Sequence, residues 1–459
     1  MESENLTLFG DADEPQDPHV KTVKPKANRE SARVQMPNRR QVELRPSDLE
    51  SLLPEGHRAR LVWGYVERLD LSRLYAQIKA VEGGVGRSPI APEILLSLWL
   101  FATLEGVGAA RALGRLCQDH DAYRWLCGGV SVNYHTLSDF RVGQGEVLDE
   151  VLTVSVANLL AVGAIKLKQV AQDGMRVRAS AGSSSFRRRE KLEEFLDQAT
   201  ARVTALKAQV ESDPGQVSRR AQAARERAVR ERQEKLEKAL KRLPELEAAK
   251  VRQSKKGKKT KAARVSMTDA DATVMKMANG GYNPAYNAQL CTETEGQVIV
   301  GVAVLREGAD QGQLSPMLAQ VEGRYNALPE RYLVDGGYVT HAQIESVAAQ
   351  TTVYAPVPEI HNDARDPHAL HALDSPAVAA WRERMGSECA KEIYQARAST
   401  AECVNALTRE RGLTRLRVRG VEKVKSVLLL FALAHNLMRT VILAPALLGV
   451  ACARSMATG

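Results

Sequence analysis

Three acidic residues stand where a carboxylate could do chemistry. In YLVDGGYVT, residues 332–340, an apolar, β-prone run of Tyr332, Leu333 and Val334 ends in Asp335, and two glycines follow that let the backbone turn sharply. An acid at the mouth of a sheet is either a turn residue or a ligand, and Asp before Gly is common in ordinary turns. A second strand, IKLKQVAQDGMRVRAS, also ends on Asp-Gly, at Asp173 and Gly174. If the two strands lie side by side, the carboxylates converge at one edge of a mixed sheet and repel each other unless a cation neutralises them. A hard dication with oxygen ligands suits such a pair. Mg²⁺ takes carboxylates, waters and substrate phosphate oxygens, and two such ions can activate a nucleophile and stabilise a leaving oxygen.

A third carboxylate is found in YQARASTAECVNALTRERGLTRLRVRGVEKV. On a helix, Tyr394, Arg397, Glu402, Asn405 and Arg409 share roughly one face, with Glu402 near its centre and Arg397 and Arg409 flanking it as phosphate-binding cations would. A surface helix laced with ion pairs gives the same spacing. Two rival groups are weaker. Asp269 and Asp271 in TDAD precede a strand in a polar run rather than ending one. His361, His368 and His371 in HNDARDPHALHALD have no Cys or clustered acid to complete a zinc site.

The elements that must position these acids are legible in outline. AYNAQLCTE (285–293), QVIVGVAVLRE (297–307), RYLVD and TTVYAPV carry the β pattern, with GQLSPMLAQVEGRYNA and HAQIESVAAQ as helices between them. Before the first strand, residues 46–160 are helical, with SPIAPEILLSLWLFATLEG and VLDEVLTVSVANLLAVGA as the clearest apolar segments. Between those two, short helices separated by Gly-containing turns suit a helix-turn-helix whose last helix, from Asn133, would present Tyr134, His135, Ser138 and Arg141 to DNA. A plain helical bundle with a solvated Arg and His face fits equally well.

An insertion at 187–262 separates the first strand from the rest. Leu192, Leu196, Ala199, Val203, Leu206 and Val210 recur at alternating four- and three-residue steps, the seam of a coiled coil. SDPGQ breaks the helix, and a looser helical segment through ERQEKLEKALKRLPELEAA predicts an antiparallel hairpin. It ends in VRQSKKGKKTKAAR, where Lys255, Lys256, Lys258 and Lys259 form either a solvated loop or a phosphate contact.

Composition sets the class. The 459 residues are 44% hydrophobic and 26% charged, as in a soluble globular protein rather than a fibrous or wholly disordered one. A net charge of +9 favours a polyanionic partner. Six scattered cysteines without a C-x-x-C pair indicate neither a zinc ribbon nor a disulfide framework, in keeping with a reducing cytoplasm. Residues 1–45 are polar and charged and predict a flexible leader, without the layout of a signal peptide. Residues 426–453 are apolar enough to suggest a membrane span, but His435, Asn436 and Arg439 lie in the middle and Pro445 breaks it, so a buried C-terminal helix is expected and no membrane contact.

Taken together, Asp173-Gly174, the VDGGY around Asp335, and Tyr394-x2-Arg397-x4-Glu402-x6-Arg409 resemble the bacterial insertion-sequence transposases with an Asp-Asp-Glu triad. The chain is most similar to the branch of the insertion-sequence-four-like superfamily whose helical N-terminal domain carries a motif like NYHTLSDFR, here residues 133–141. SMTDADATVMKMANGGYNPAYNAQ (266–289) and RGVEKVKSVLLLFALAHNLMR (419–439) also match, so the resemblance covers about residues 46–440. It implies a ribonuclease-H-like α/β catalytic domain over 165–440, interrupted by the coiled-coil insertion, with a helical DNA-binding domain at 46–160 and a tail at 441–459. It also implies DNA cleavage and strand transfer, with Asp173, Asp335 and Glu402 as ligands of two Mg²⁺ ions for which Mn²⁺ can substitute. Tyr394, Arg397 and Arg409 would hold DNA near the scissile phosphate. The implied partners are double-stranded DNA, as the element's terminal inverted repeats and the target, and a second copy of the chain, in the bacterial cytoplasm at the nucleoid. The wider superfamily often has three residues between the Arg and the Glu and a Lys at the position of Arg409. A DNA-binding regulator derived from a transposase, or a nuclease of the same fold, are the alternatives.

Overall fold

The computed structural model of the chain describes residues 48–80, 88–212, 219–253, 262–358 and 366–449, with positions 37 and 40. The rest of the expected leader, Val210's side chain, the SDPGQ break apart from Ser212, Lys255, Lys256, Lys258, Lys259, His361 and the tail beyond 449 lie outside the described residues.

Seven helices come first: α1 (Arg58–Val66), α2 (Ser72–Ala76), α3 (Pro92–Leu104), α4 (Ala110–Asp119), α5 (Asp121–Cys127), α6 (Tyr134–Gly143) and α7 (Gly145–Ala161). α3 opens on a proline, whose missing N–H costs nothing in a first turn, and is buried on nearly every side. α6 starts at Asn133 because its side chain accepts the Thr136 N–H at 3.0 Å. Its Arg141 corrects the expectation of a DNA contact. The side chain is 6% exposed, lies over the Trp99 ring at 4.6 Å and donates to the Gly108 carbonyl at 2.6 Å. Burial, followed by Arg417, pushes its pKa down to about 10. An arginine used in this way holds α6 onto α3 and does not reach a groove of DNA.

The sheet is built on two strands, β1 (Gln169–Arg178) and β5 (Tyr282–Glu293), antiparallel from Val170↔Glu293 to Arg178↔Ala285. Between them in sequence fall the short ribbon of β2 (Phe186–Arg187) and β3 (Val265–Ser266) and the edge strand β4 (Thr273–Lys276). β6 (Ile299–Leu305) returns along β5, and β7 (Arg331–Leu333) and β8 (Thr352–Tyr354) add in parallel on the other side of β1. Three antiparallel strands followed by two parallel ones, in the order β6-β5-β1-β7-β8, are the ribonuclease-H-like arrangement. α10 (Leu314–Tyr325) and α11 (His341–Val347) connect the later strands, and α12 (Pro376–Met385), α13 (Glu388–Arg397) and α14 (Cys403–Glu410) follow them.

The first strand does not end at Asp173-Gly174 as its sequence suggests. β1 runs four residues further because β5 is long enough to keep the ladder paired to Arg178. Gly174 is therefore no turn. A Cβ there would overlap the Asp310 carboxylate and the Gln289 amide and lie 2.8 Å from Asn287 Oδ1, so the glycine admits a polar cluster against the strand.

The insertion is a helical hairpin, α8 (Arg189–Ser212) and α9 (Arg219–Gln253), and its antiparallel sense is fixed by Arg189 pairing with Glu247 at 2.9 Å. Leu192 and Ala199 of the expected seam are buried against Leu236, Ala239 and Leu243, while Val203 and Leu206 are only half-buried. The tight part of the seam is at the root, over β3.

α15 (Val421–Leu443) is long and apolar enough to cross a membrane, but it packs against α3, α6, α7 and β6, and its polar residues grip the protein's own backbone. Asn436 Oδ1 accepts the Ile299 N–H and its Nδ2 donates to the Ile299 carbonyl, both at 2.8 Å. His435 Nε2 lies 2.7 Å from the Gln297 carbonyl, and Arg439 Nε donates to that of Gly296. The TDAD acids sit at the other end of this helix. Asp269 accepts the Gly420 N–H at 3.1 Å and Asp271 that of Val421 at 3.2 Å, negative charges on the positive end of a helix dipole. Lys238 of α9 pairs with Asp271 at 2.7 Å, which ties the hairpin to the same point.

Burial of His435 sets a pH dependence. The folded-state pKa is depressed from 6.5 to about 4, chiefly by burial. As pH falls the unfolded chain takes the proton first, so stability present above pH 6.5 is lost progressively toward pH 4. Between pH 7 and pH 5 this residue should cost about 2 kcal/mol, read from urea denaturation. His435→Gln should flatten that slope, and an equal slope in the variant would assign the acid sensitivity elsewhere.

Candidate active site

The parallel pairing of β1 with β7 places the two aspartates level with each other. Ala171 pairs with Leu333, and Asp173 and Asp335 each lie two residues beyond that pair. β7 does end here. Asp335 is exposed and begins a short 3-10 turn, Gly336–Tyr338, with its carboxylate accepting the Gly336 N–H at 2.6 Å. Asp173 is half-buried on a rigid central strand, its Oδ1 accepting the Gly174 N–H at 2.9 Å.

The third acid comes from a helix in three pieces. α13 ends at Arg397, a π-helical turn spans Ala398–Glu402, and α14 continues from Cys403. A π turn absorbs one extra residue in a helix. Four residues stand between Arg397 and Glu402, and the wide turn spans them. Arg397 Nη1 and Glu402 Oε1 accordingly remain 3.2 Å apart.

Arg397 is the centre on which the site converges. Its Nη2 lies 3.4 Å from Asp173 Oδ1, and the charges of Asp173, Asp335 and Glu402 together raise its pKa against the effect of burial. Asn405, buried on α14, donates to Asp173 Oδ2 at 3.0 Å, and its own Oδ1 has no partner among the described residues. Burial pushes the Asp173 carboxyl above the usual range; Arg397 and the Gly174 N–H oppose this, and Asp310 and Asp335 add to it. Tyr394 is half-buried and donates to the Val334 carbonyl at 3.2 Å, so its hydroxyl holds the backbone just ahead of Asp335. Arg409 is exposed on the face that carries Glu402.

Beneath these residues is a buried polar relay that sequence patterning barely signals. Asp310 accepts from Asn287 at 2.6 Å and from Gln289 at 2.7 Å. Gln289 accepts from Tyr338 at 2.6 Å, and Tyr338 closes the turn on Asp335 through its N–H to the Asp335 carbonyl at 3.0 Å. Two polar residues at i and i+2 within the buried part of β5, residues 284–293, are the available signal, since such groups need partners.

The donor set suits a hard cation. Three carboxylates and the unpartnered Asn405 Oδ1 are all oxygen ligands, as Mg²⁺ or Mn²⁺ prefers. Among the described residues no group of three or more His, Cys, Asp or Glu is gathered closely enough to hold a metal as it stands, and the Arg397 guanidinium pairs with both Asp173 and Glu402. The other sequence candidates do not join the site. Asp269 and Asp271 cap α15; His368 and His371 lie in the segment before α12, outside any such group. His135 is on α6, exposed, its ring 4.0 Å from that of Tyr134.

Two family models match the chain, one described as Transposase domain (DUF772) over residues 47–142 and one as Transposase DDE domain over residues 364–441. Together the two matches support an insertion-sequence DDE transposase. The first match takes in the whole of α6 short of its last residue, and the second takes in Tyr394, Arg397, Glu402 and Arg409 and most of α15. The DDE match supports a polynucleotidyl-transferase-type enzyme, the two matches support DNA as its partner, and DDE transposases generally use divalent metal ions. No curated protein and no solved structure matches the chain.

Proposed function

We propose that the transposase binds the ends of its insertion sequence and carries out Mg²⁺-dependent cleavage and strand transfer, with Asp173, Asp335 and Glu402 as the catalytic, metal-holding acids. The observation that carries this reading is that Arg397 pairs with both Asp173 and Glu402 while Asp335 ends the neighbouring parallel strand level with Asp173, at the edge of a ribonuclease-H-like sheet. The acids and Asn405 would hold the metal. Bound there, a divalent pair supplies Lewis-acid activation of the attacking oxygen and neutralises charge on the departing one.

The chain's own groups do the rest. β1 fixes Asp173, and the relay from Asp310 through Gln289 to Tyr338 fixes the turn that presents Asp335. Arg397 is the counter-ion of the acids before metal enters. Its displacement toward the incoming phosphate would hand its charge from protein to DNA. Arg409, exposed on the same helix face, holds the backbone beside the scissile phosphate, and Tyr394 keeps the strand end in place. In-line phosphoryl transfer requires chiefly this positioning and charge. His135 and Tyr134 present the exposed start of α6 to the terminal repeat, with Arg141 behind them as support, and two copies of the chain act on paired ends.

The test is an assay with labelled, paired element ends and a target plasmid in Mg²⁺. Joined products that disappear with chelator support the reading. Cleavage without joining would make the protein a nuclease of the same fold, and binding without either would make it a regulator.

A further inference from the structure

A second cationic feature lies outside the site, in a cleft of about 1250 Å³ between α9, the β2–β3 ribbon and the loop after β6. Arg188, Arg242, Arg252, Arg264 and Arg306 line it, against two acids among the described residues, Glu245 and Glu307. Both acids are taken by Arg242, and Arg306 pairs with Asp271 at 3.6 Å. Arg188, Arg252 and Arg264 make no ion pair among the described residues. Arg242 is itself 7% exposed, and its Nε has no partner among the described residues. Burying a guanidinium with an unused donor is costly unless an anion supplies the missing acceptor. At the rim Tyr282 is 68% exposed, a flat aromatic beside the cations.

The cleft adjoins the loop that reaches toward the acids. Its wall includes Gly308, Gln311 and Gln313, in the loop that carries Asp310, whose charge acts on Asp173. Arg176, on the strand of Asp173, donates to the Gly308 carbonyl at 2.7 Å.

We propose that this cleft is a phosphodiester-binding track that carries the DNA flank leading to or from the scissile phosphate, with the root of the hairpin as one wall. Charge complementarity selects the occupant, since a run of phosphates supplies both the acceptor that Arg242 lacks and the counter-ions of the three unpaired arginines. The inference rests on the function proposed above and adds to it a location for the DNA outside the acids.

The full-length protein is titrated onto a fluorescent duplex of random sequence, with anisotropy read over a range of salt. Arg188→Ala with Arg264→Ala should weaken binding about tenfold and reduce the slope of log affinity against log salt by about 2, at roughly 0.9 for each phosphate no longer neutralised. Arg188→Lys with Arg264→Lys should retain most of the slope. Lys168→Ala with Arg331→Ala, an exposed pair near the starts of β1 and β7 and away from the cleft, should change neither value. Thermal melting of each variant checks the fold, since the substituted arginines are exposed. Wild-type affinity and slope in the cleft variant, or an equal loss in the Lys168 and Arg331 pair, would overturn the track while leaving the proposed function standing. A wild-type protein that binds no DNA would overturn both.

Discussion

Asp335→Asn is expected to lose cleavage of a labelled element end by about 100-fold or more in Mg²⁺ or Mn²⁺, while folding and DNA binding are kept. The residue is exposed, and an asparagine oxygen can still accept the Gly336 N–H, so the turn survives and stability should move by no more than about 0.5 kcal/mol. The negative charge is what disappears. A metal site missing one anionic ligand loses transition-state stabilisation of order several kcal/mol, and each 1.4 kcal/mol or so is a factor of ten. Glu402→Gln should behave alike, being mostly exposed as well. Asp173→Asn should lose the same activity but also alter the fold's local balance, because Asp173 is held between Arg397 and Asn405. Retained cleavage in Asp335→Asn would return the residue to an ordinary turn.

Asn436→Ala should be the most destabilising change outside the site. The side chain is 1% exposed and satisfies both the N–H and the carbonyl of Ile299, where β6 begins. Removing it leaves two buried backbone groups unpaired at about 1–3 kcal/mol each, so a loss of roughly 2–6 kcal/mol is expected in chemical denaturation. That is a large share of the 5–15 kcal/mol or so by which a typical domain is stable. The first effect should be release of α15 from the sheet, seen as faster amide exchange in β6. A loss below about 1 kcal/mol would mean that water or a neighbour replaces the amide.

Much of the site is legible in the sequence because its acids follow local rules. Asp335 closes an apolar run before two glycines, and Asp173 precedes a glycine in a second strand-like segment, so pattern marks both as candidates. The parallel register that sets them level is a tertiary fact, carried by three paired residues of β1 and β7. The end of β1 is hidden because an Asp-Gly pair is a turn signal by itself, whereas the length of the ladder is decided by β5, more than a hundred residues later. The role of Arg141 is hidden for a related reason. On a short helix next to an exposed His135 it looks like a surface cation, and only Trp99, forty-two positions earlier, shows that it is buried. The polar residues of α15 do mark it as unsuited to a membrane span, but their partners, the backbone of Gly296, Gln297 and Ile299, have no side-chain signature to find. Asp310 does not stand out in a polar loop, and its importance rests on Gln289 and Tyr338, which meet it only in the folded chain.

If Asp173, Asp335 and Glu402 act together as one metal site on DNA, the ions themselves can be counted. Mn²⁺ binding to the transposase with an element-end duplex, measured by electron paramagnetic resonance in the wild type and in Asp335→Asn, tests this most directly. Two bound ions in the wild-type complex, with at least one missing in the variant at unchanged DNA affinity, is the predicted result. Equal Mn²⁺ occupancy in both proteins would contradict it.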